Sequence, residues 1–371
     1  TDTATATVLQ PMLSISKVAN PVGGTEVTSG DTIEYTVTVT NAAGAGPAYD
    51  LELQDTAPVG VRAGGLPLLA EVTSITVGGA GVATLAPTGA SFAADGVMTW
   101  DFDTGTAADT YTLLANQTLV LVYELTVDTD VAPSQTLSNS AQINDYFSTN
   151  NDADPSLTAS GITNTAIDAD RESFGSSLPV VVSHTTPGPG DLAKVVDVTE
   201  ATIGESVTYT ITVPAVAVGA QLFDVVVTDQ LPTNVSFVSA AFNGGGAVGA
   251  LVSTDVSGAT SNTFEFSGFD IPAGQQAIID VVTRVNNTAD EDAGDSFQNL
   301  ANYTYEIADG GTDDLTGGVD VRATAVTIIE PLLSATKLGQ NITTAGGLSN
   351  TITGDAGDII EYQIAMVAST G

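Results

Sequence analysis

The sequence predicts an all-β protein built from tandem β-sandwich domains. Apolar and polar residues alternate with a period of two in runs such as residues 32–39, 119–127 and 207–213. Thr, Val, Ile and Tyr fill these runs, and Gly, Asn, Asp and Pro separate them. Segments of the sequence also recur at domain-sized intervals, which is typical of a tandem array.

Each alternating run is expected to form one strand with a buried face and a solvated face. Strong helix formers are scarce between the runs, and no amphipathic helix stands out. The short spacing between turn residues is typical of a sandwich.

The repeats define the expected domains. Residues 7–14 return as 327–334, and the segment 30–35 returns at 204–209 and at 357–362. The chain is therefore expected to be a window from a longer array. Its expected parts are a last strand of a preceding domain in residues 1–8, a domain in 9–187 with an insertion near 150–183, a domain in 188–330, and the start of a third domain in 331–371.

The composition excludes several classes of partner. The chain of 371 residues has 7 Lys plus Arg against 44 Asp plus Glu, a formal net charge of −37. Nucleic acid and anionic membranes attract positive charge, so neither is expected as a partner. There is no cysteine, which excludes disulfides and thiolate metal sites. No apolar run is long enough to span a membrane.

The three lysines of the chain fall at corresponding places in the repeats. Lys17 and Lys337 lie in matching segments, and Lys194 lies on the predicted first strand of the second domain. Because lysine is so rare in this chain and occurs once in each repeat, each lysine is expected to have a function.

Each complete domain also offers an Asp before a turn and an Asn in a late Asn-x-Ala strand. The two sets are Lys17, Asp55 and Asn139 in the first domain, and Lys194, Asp229 and Asn299 in the second. Burial drives a lysine towards the neutral, nucleophilic amine. A protonated Asp would polarise the Asn amide, and attack by the amine would release ammonia and leave an isopeptide bond. The reaction would happen once in each domain, so the chain is not expected to be an enzyme with turnover.

The alternative is that these lysines are solvated strand residues and that the Asp and Asn residues belong to ordinary turns. Repetition of all three residues favours the cross-link. The neighbouring amides of Gln142 and Asn302 are weaker candidates as acceptors, because the two domains do not share the residue type.

The combined pattern resembles a known family. It consists of a Lys, then Gly-Asp/Glu-x-Ile/Val-x-Tyr, then Asp-x-x-Pro, then Asn-x-Ala. It is similar to the conserved repeat domain that occurs in tandem on large bacterial and archaeal surface proteins, a domain of unknown function of the isopeptide-forming type. The resemblance covers both complete domains and the start of the third, and the segment from residue 150 to 183 departs from its spacing. It implies an immunoglobulin-like or adhesin-type sandwich that serves as a stalk or fibre module.

Calcium is the expected cofactor, if there is one. Acidic clusters follow equivalent strands and contain Asp128 and Asp130 in the first domain and Asn287, Asp290 and Asp292 in the second. Hard oxygen ligands on turns suit Ca²⁺. The alternative is a solvated acidic surface, since 44 acidic residues cluster by chance.

The predicted function is that of a structural stalk or fibre on the cell surface or in an extracellular filament. Its expected partners are neighbouring domains or further copies of the same protein. Two alternatives remain open. One is an adhesin for a host or cell-surface glycan or protein, with the insertion as its binding part. The other is a filament or surface-layer subunit that assembles by strand complementation.

Overall fold

The computed structural model shows an all-β chain. It describes residues 4, 7–61, 71–89, 96–103, 111–149, 172–258, 261–287, 293–312 and 314–370. None of these residues lies in an α-helix. This part of the chain accordingly contains no helix long and apolar enough to cross a membrane.

The first sandwich contains nine strands in two sheets. They are β1 (Leu13–Asn20), β2 (Thr32–Asn41), β3 (Tyr49–Thr56), β4 (Val72–Val77), β5 (Ala80–Gly81), β6 (Val97–Asp101), β7 (Thr118–Thr126), β8 (Thr136–Phe147) and β9 (Val180–Thr185). One sheet has the order β1-β2-β7-β4-β5 and the other the order β6-β3-β8-β9.

The second sandwich repeats this plan with additional short strands. They are β10 (Ala193–Val196), β11 (Glu200–Ala201), β12 (Ser206–Val213), β13 (Leu222–Leu231), β14 (Val235–Gly245), β15 (Val248–Asp255), β16 (Asn262–Ile271), β17 (Ala277–Val285), β18 (Ser296–Phe297), β19 (Leu300–Glu306), β20 (Leu315–Thr316), β21 (Val321–Arg322) and β22 (Val326–Ile328). One sheet has the order β10-β12-β17-β14, and the facing sheet has the order β15-β16-β13-β19-β20 with β21 beside β19. A small sheet of β11, β22 and β18 closes one end.

A two-stranded antiparallel ribbon follows the second sandwich. It consists of β23 (Pro331–Asn341) and β24 (Ile360–Thr370). These strands correspond to β1 and β2 of the first sandwich, and they lie in the part of the sequence expected to begin a third repeat.

The alternating sequence explains the two cores. Along β2 and β12 every second residue is buried, as a strand with one face in a sandwich requires. Each sandwich buries its own cluster of apolar side chains, with Trp100 and Tyr123 in the first and Tyr209 and Phe266 in the second. The described residues therefore form two sandwiches with separate cores.

The recurring Gly-Asp/Glu motif is a turn that precedes the second strand of each repeat. Its glycines, Gly30, Gly204 and Gly357, have φ angles of 84°, 83° and 104°, a left-handed conformation that only glycine adopts without strain. The following carboxylate accepts a hydrogen bond from the backbone N–H three residues earlier in all three repeats, at 2.7, 2.9 and 2.8 Å. The motif is therefore explained by local backbone geometry.

The segment 150–183 was expected to be an insertion, but its end belongs to the sandwich. Residues 180–183 form most of β9, which pairs with β8 and completes a sheet. These three Val residues and one Ser pair with residues 138–141 of β8, so this part is not an accessory loop. Residues 150–171 lie outside the described residues.

The expected strand in residues 1–8 is not seen in the residues described there. Residues 4, 7 and 8 have no strand assignment, and residues 1–3, 5 and 6 lie outside the described residues. A strand exists only where it pairs with a neighbour, and no pairing involves residues 4, 7 or 8 in the part of the chain that the structure describes.

The loop between β12 and β13 joins the two sandwiches. Ala220 on this loop is buried in the core cluster of the first sandwich. Ser29 donates a backbone hydrogen bond to Gly219 at 2.8 Å, and Gln221 donates one to Val131 at 2.9 Å. A side chain at Gly219 would clash with Thr28, since its Cβ would lie 2.3 Å from that residue. The junction is therefore a packed contact as well as a linker.

Candidate functional site: a buried lysine, carboxylate and amide

Each lysine lies on the first strand of its repeat and points over the tyrosine of the turn motif. The pairs are Lys17 with Tyr35 at 4.8 Å, Lys194 with Tyr209 at 5.4 Å and Lys337 with Tyr362 at 4.3 Å, measured from Nζ to the ring centroid. In each repeat the tyrosine pairs across the ladder with the residue two positions after the lysine. The same register therefore places the same ammonium over the same ring three times.

The first sandwich brings together the three residues predicted for its cross-link. Lys17 on β1 forms a hydrogen-bonded ion pair with Asp55 on β3, in the facing sheet. Asn139 on β8 lies beside Asp55 on the same sheet, since Asp55 is opposite Ala141 in the ladder. All three residues are buried, and Asn139 is fully enclosed.

Tyr123 on β7 connects these three side chains. Its hydroxyl donates to Asp55 Oδ2 at 2.6 Å. It accepts hydrogen bonds from Lys17 Nζ at 3.0 Å and from Asn139 Nδ2 at 3.1 Å. One donated and two accepted bonds use the full capacity of a hydroxyl, so Tyr123 is the centre of the site.

The second sandwich assembles the equivalent set without a tyrosine at its centre. Lys194 Nζ donates to Asp229 Oδ1 at 2.6 Å, and both side chains are fully enclosed. Asn299 Nδ2 contacts the other oxygen, Asp229 Oδ2, at 3.4 Å. The position that corresponds to Tyr123 is Val281, because Tyr209 pairs with Val281 as Tyr35 pairs with Tyr123.

Burial shifts the acid–base equilibrium of both ion pairs. It lowers the pKa of Lys17 and of Lys194, although the neighbouring carboxylate opposes this shift. It raises the pKa of Asp55 and of Asp229 against the opposing effect of the ammonium. Both shifts move the shared proton from the amine towards the carboxylate. Burial therefore brings the two pKa values of each pair closer together and makes proton transfer from the amine to the carboxylate easier than in water.

The acceptor amides are incompletely bonded. Asn139 Oδ1 and Asn299 Oδ1 are buried and have no hydrogen-bond partner among the described residues. An unsatisfied buried carbonyl is costly. In the second sandwich the acid contacts the amide nitrogen and not the carbonyl oxygen, which differs from the predicted polarisation of the carbonyl by the acid.

Lys337 contacts the motif tyrosine of its own repeat, Tyr362. It lies on β23 and is exposed to solvent, in contrast to the other two lysines. The β23–β24 ribbon supplies its tyrosine, but the described residues contain no third strand with the Asp and no late strand with the Asn for this repeat. The prediction that Lys337 forms a cross-link therefore remains a prediction.

The structure describes three of the five residues predicted to bind calcium. Asp128 and Asp130 follow β7 and line a cleft of about 810 Å³ between the two sandwiches. Asn287 follows β17, whereas Asp290 and Asp292 lie outside the described residues. No group of three or more His, Cys, Asp or Glu side chains suited to a metal ion occurs in the described ranges. Calcium binding therefore stays a prediction.

Sequence reasoning missed the aromatic residues of the site. The motif tyrosines Tyr35 and Tyr209 were visible as a repeat, but they were considered only as strand residues. Tyr123 lies in an alternating apolar run and has no counterpart in the second domain, so no repeat marked it. Trp100, the only tryptophan of the chain, packs on the Tyr123 ring with centroids 5.2 Å apart.

Comparisons with known proteins give similarities of fold at low identity. No family model matches the chain, and no curated protein matches it significantly. Among solved structures, the collagen adhesin of Staphylococcus aureus matches at 11% identity, 95% coverage of each chain and a TM-score of 0.24. A C-terminal fragment of the major pilin of Streptococcus agalactiae matches at 11% identity, with 85% of this chain and 91% of the other covered and a TM-score of 0.32.

The full-length major pilin SpaD of Corynebacterium diphtheriae matches at 14% identity, with 85% of this chain and 74% of the pilin covered and a TM-score of 0.31. Identities and TM-scores of this size do not transfer a function from those proteins to this chain. The functional argument therefore depends on the chain's own buried sites.

Proposed function

We propose that this chain is a structural part of an extracellular surface protein, in which each complete sandwich is locked by an isopeptide bond. The bonds join Lys17 to Asn139 and Lys194 to Asn299. The observation that carries the proposal is the repeated burial of a lysine, an acid and an amide at corresponding positions of both sandwiches. Burying such groups costs stability unless they are paired, and a covalent product removes the charges.

The acid has a defined part in this reaction. The Asp takes a proton from the ammonium, which frees the lone pair of the amine. The amine attacks the amide carbon, and the nitrogen of the amide leaves as ammonia. In each sandwich the amine and the amide share a buried hydrogen-bond partner, Tyr123 in the first and Asp229 in the second. The reaction would therefore gain from proximity and from the exclusion of water.

A bond at these positions suits a load-bearing module. In the first sandwich it ties β1 to β8, and in the second it ties β10 to the start of β19. Each bond therefore joins the first strand of a sandwich to a strand late in its sequence. Force applied through the chain ends would then pass through the covalent bond and could not extend the strands between. The packed loop around Ala220 would stiffen the junction between neighbouring modules. A chain with no cysteine would gain by this bond the stabilisation that disulfides give to other secreted proteins.

The test is proteolysis of the denatured chain followed by tandem mass spectrometry. The proposal predicts branched peptides that link Lys17 to Asn139 and Lys194 to Asn299. Recovery of the linear peptides containing these residues, with no branched species, would overturn it. Branched peptides that end at Gln142 or Asn302 would show that the acceptor has been assigned to the wrong amide.

A second candidate function is ligand binding at the cleft between the sandwiches. The cleft has a mainly apolar lining that includes Phe223, Tyr305 and Leu315, with Asp128 and Asp130 at its edge. Enclosed apolar clefts with a few polar groups are typical of binding sites. Substituting Phe223 by Ser should then abolish binding to a cell-surface ligand while both cross-links still form; unchanged binding would exclude this site.

A further inference from the structure

The two sandwiches differ at the centre of their sites, where the first has a tyrosine and the second a valine. We propose that Tyr123 is a catalytic proton relay for the cross-link in the first sandwich, and that the second sandwich reacts without one. This inference rests on the isopeptide bond proposed above. It adds a role for a residue that the lysine, acid and amide pattern does not contain.

The geometry gives Tyr123 contact with every group that exchanges a proton. Its hydroxyl lies 3.0 Å from the attacking nitrogen of Lys17 and 3.1 Å from Nδ2 of Asn139, the nitrogen that must leave. It lies 2.6 Å from Asp55 Oδ2, the oxygen that also receives the lysine. These are hydrogen-bond distances for proton transfer in a general acid–base reaction.

The leaving group explains why a relay is needed. An amide nitrogen leaves only after it has gained a proton, and the attacking amine has a proton to lose. In the first sandwich Asn139 Nδ2 donates its hydrogen bond to the Tyr123 hydroxyl. A hydroxyl that is bonded to both Asp55 and Nδ2 can pass a proton from the acid to the leaving nitrogen.

The proton balance of the step is complete. Lys17 and Asp55 begin as ammonium and carboxylate, and one proton moves to Asp55. The bond from the neutral Nζ to Cγ of Asn139 then forms. Tyr123 gives its hydroxyl proton to Nδ2 and takes the proton of Asp55 in exchange, so Asp55 is a carboxylate again. That carboxylate accepts the second proton from Nζ as the Cγ–Nδ2 bond breaks. Ammonia leaves with the electron pair of that bond, and Asp55 is left protonated.

The second sandwich uses a direct route for the same transfer. Asn299 Nδ2 is 3.4 Å from Asp229 Oδ2, so the acid itself faces the leaving nitrogen. Val281 at the Tyr123 position cannot donate or accept a proton. The two sites therefore carry out one reaction with different proton paths, and removing the tyrosine hydroxyl should affect only the first.

Tyr123→Phe tests this relay because it removes the hydroxyl and keeps the ring that packs on Trp100. The full chain is refolded from freshly made, unreacted protein, and branched peptides of each domain are measured over time. We expect the first bond to form about 10²-fold more slowly, and the second bond on the same molecule to form at its usual rate. Tyr111→Phe is the matched control, since it removes a buried hydroxyl that donates to Ala83 at 2.7 Å, away from the site.

The possible outcomes separate the relay from the cross-link itself. If the unaltered chain forms no first bond, the proposed function fails for that sandwich. If the unaltered chain reacts and Tyr123→Phe reacts equally fast, only the relay is wrong. If Tyr123→Phe loses the native fluorescence of Trp100, the variant has not folded, and Val281→Tyr is tested in its place. A hydroxyl introduced beside Asp229 should accelerate formation of the second bond. No acceleration would reject the relay.

Discussion

Replacing Asn139 by Ala should greatly weaken the first sandwich. The change removes the acceptor amide but keeps the Lys17–Asp55 ion pair, so no buried charge loses its partner. The matched control is Gln142→Ala on the same strand. That change removes an amide whose Nε2 donates to Gln54 at 3.1 Å, outside the buried site.

The expected loss follows from the length of chain that the bond closes. A cross-link between residues 17 and 139 encloses more than a hundred residues, and the chain-entropy relation gives about 5 kcal/mol for a loop of this size. The hydrogen bond from Asn139 Nδ2 to Tyr123 adds nothing to this loss, because that nitrogen has left as ammonia in the cross-linked chain. The control should lose only about 1 kcal/mol, because a single partly buried hydrogen bond is removed.

Urea unfolding followed by tryptophan fluorescence measures this loss in the first sandwich alone. Trp100 is the only tryptophan, and it is buried in that core. With a slope of about 2 kcal/mol per molar urea, the midpoint should fall by about 2.5 M for Asn139→Ala and by about 0.5 M for Gln142→Ala. Equal shifts for the two variants would refute the reasoning, since the covalent term would then be absent.

Three further predictions follow from the same structure. Lys194→Met should leave the denatured chain short of one ammonia and not two, because only the first sandwich can still react; a deficit of two would show that another nucleophile is used. Burial raises the pKa of Tyr35 from 10.0 to about 12. Between pH 10 and 12 the folded chain therefore keeps the Tyr35 proton while the unfolded chain loses it. The free energy of unfolding should fall by about 3 kcal/mol over this range. Tyr35→Phe should flatten that fall in a fluorescence titration, and an unchanged slope would contradict the assignment. Ala220→Asp, which places a carboxylate in the core of the first sandwich, should loosen the junction and speed proteolysis of the linker at residues 187–190, whereas unchanged cleavage would show that the loop does not hold the junction.

The all-β fold was predictable because strands with one buried face have a strict period of two. The run from residue 32 to 39 became β2, and the run from 207 to 213 became β12, with alternate residues buried in both. The end of the first sandwich was harder to predict. Strand β9 follows a long stretch that has no counterpart in the second repeat. The sequence therefore predicted an insertion for its Val and Ser residues, whereas in the structure they pair with β8.

The lysine, acid and amide of the site were predictable because all three recur in both complete repeats. A residue that is present by chance is not expected to recur in this way. Their contacts were not, because strand pairing and the packing of two sheets decide which side chains meet. Tyr123 could not be inferred at all, since its role depends on β7 facing β3 and β8 across the core. A comparison of the repeats does not identify Tyr123, because the second repeat has Val281 at the corresponding position.

The intact mass of the chain under denaturing conditions tests the central claim most directly. The account predicts a mass lower than that of the sequence by two molecules of ammonia, one for each complete sandwich. A loss of water in place of ammonia would mean that Asp55 or Asp229 is the acceptor and that the amide has been given the wrong role. A mass equal to that of the sequence would contradict the account, because the buried lysines would then form only ion pairs.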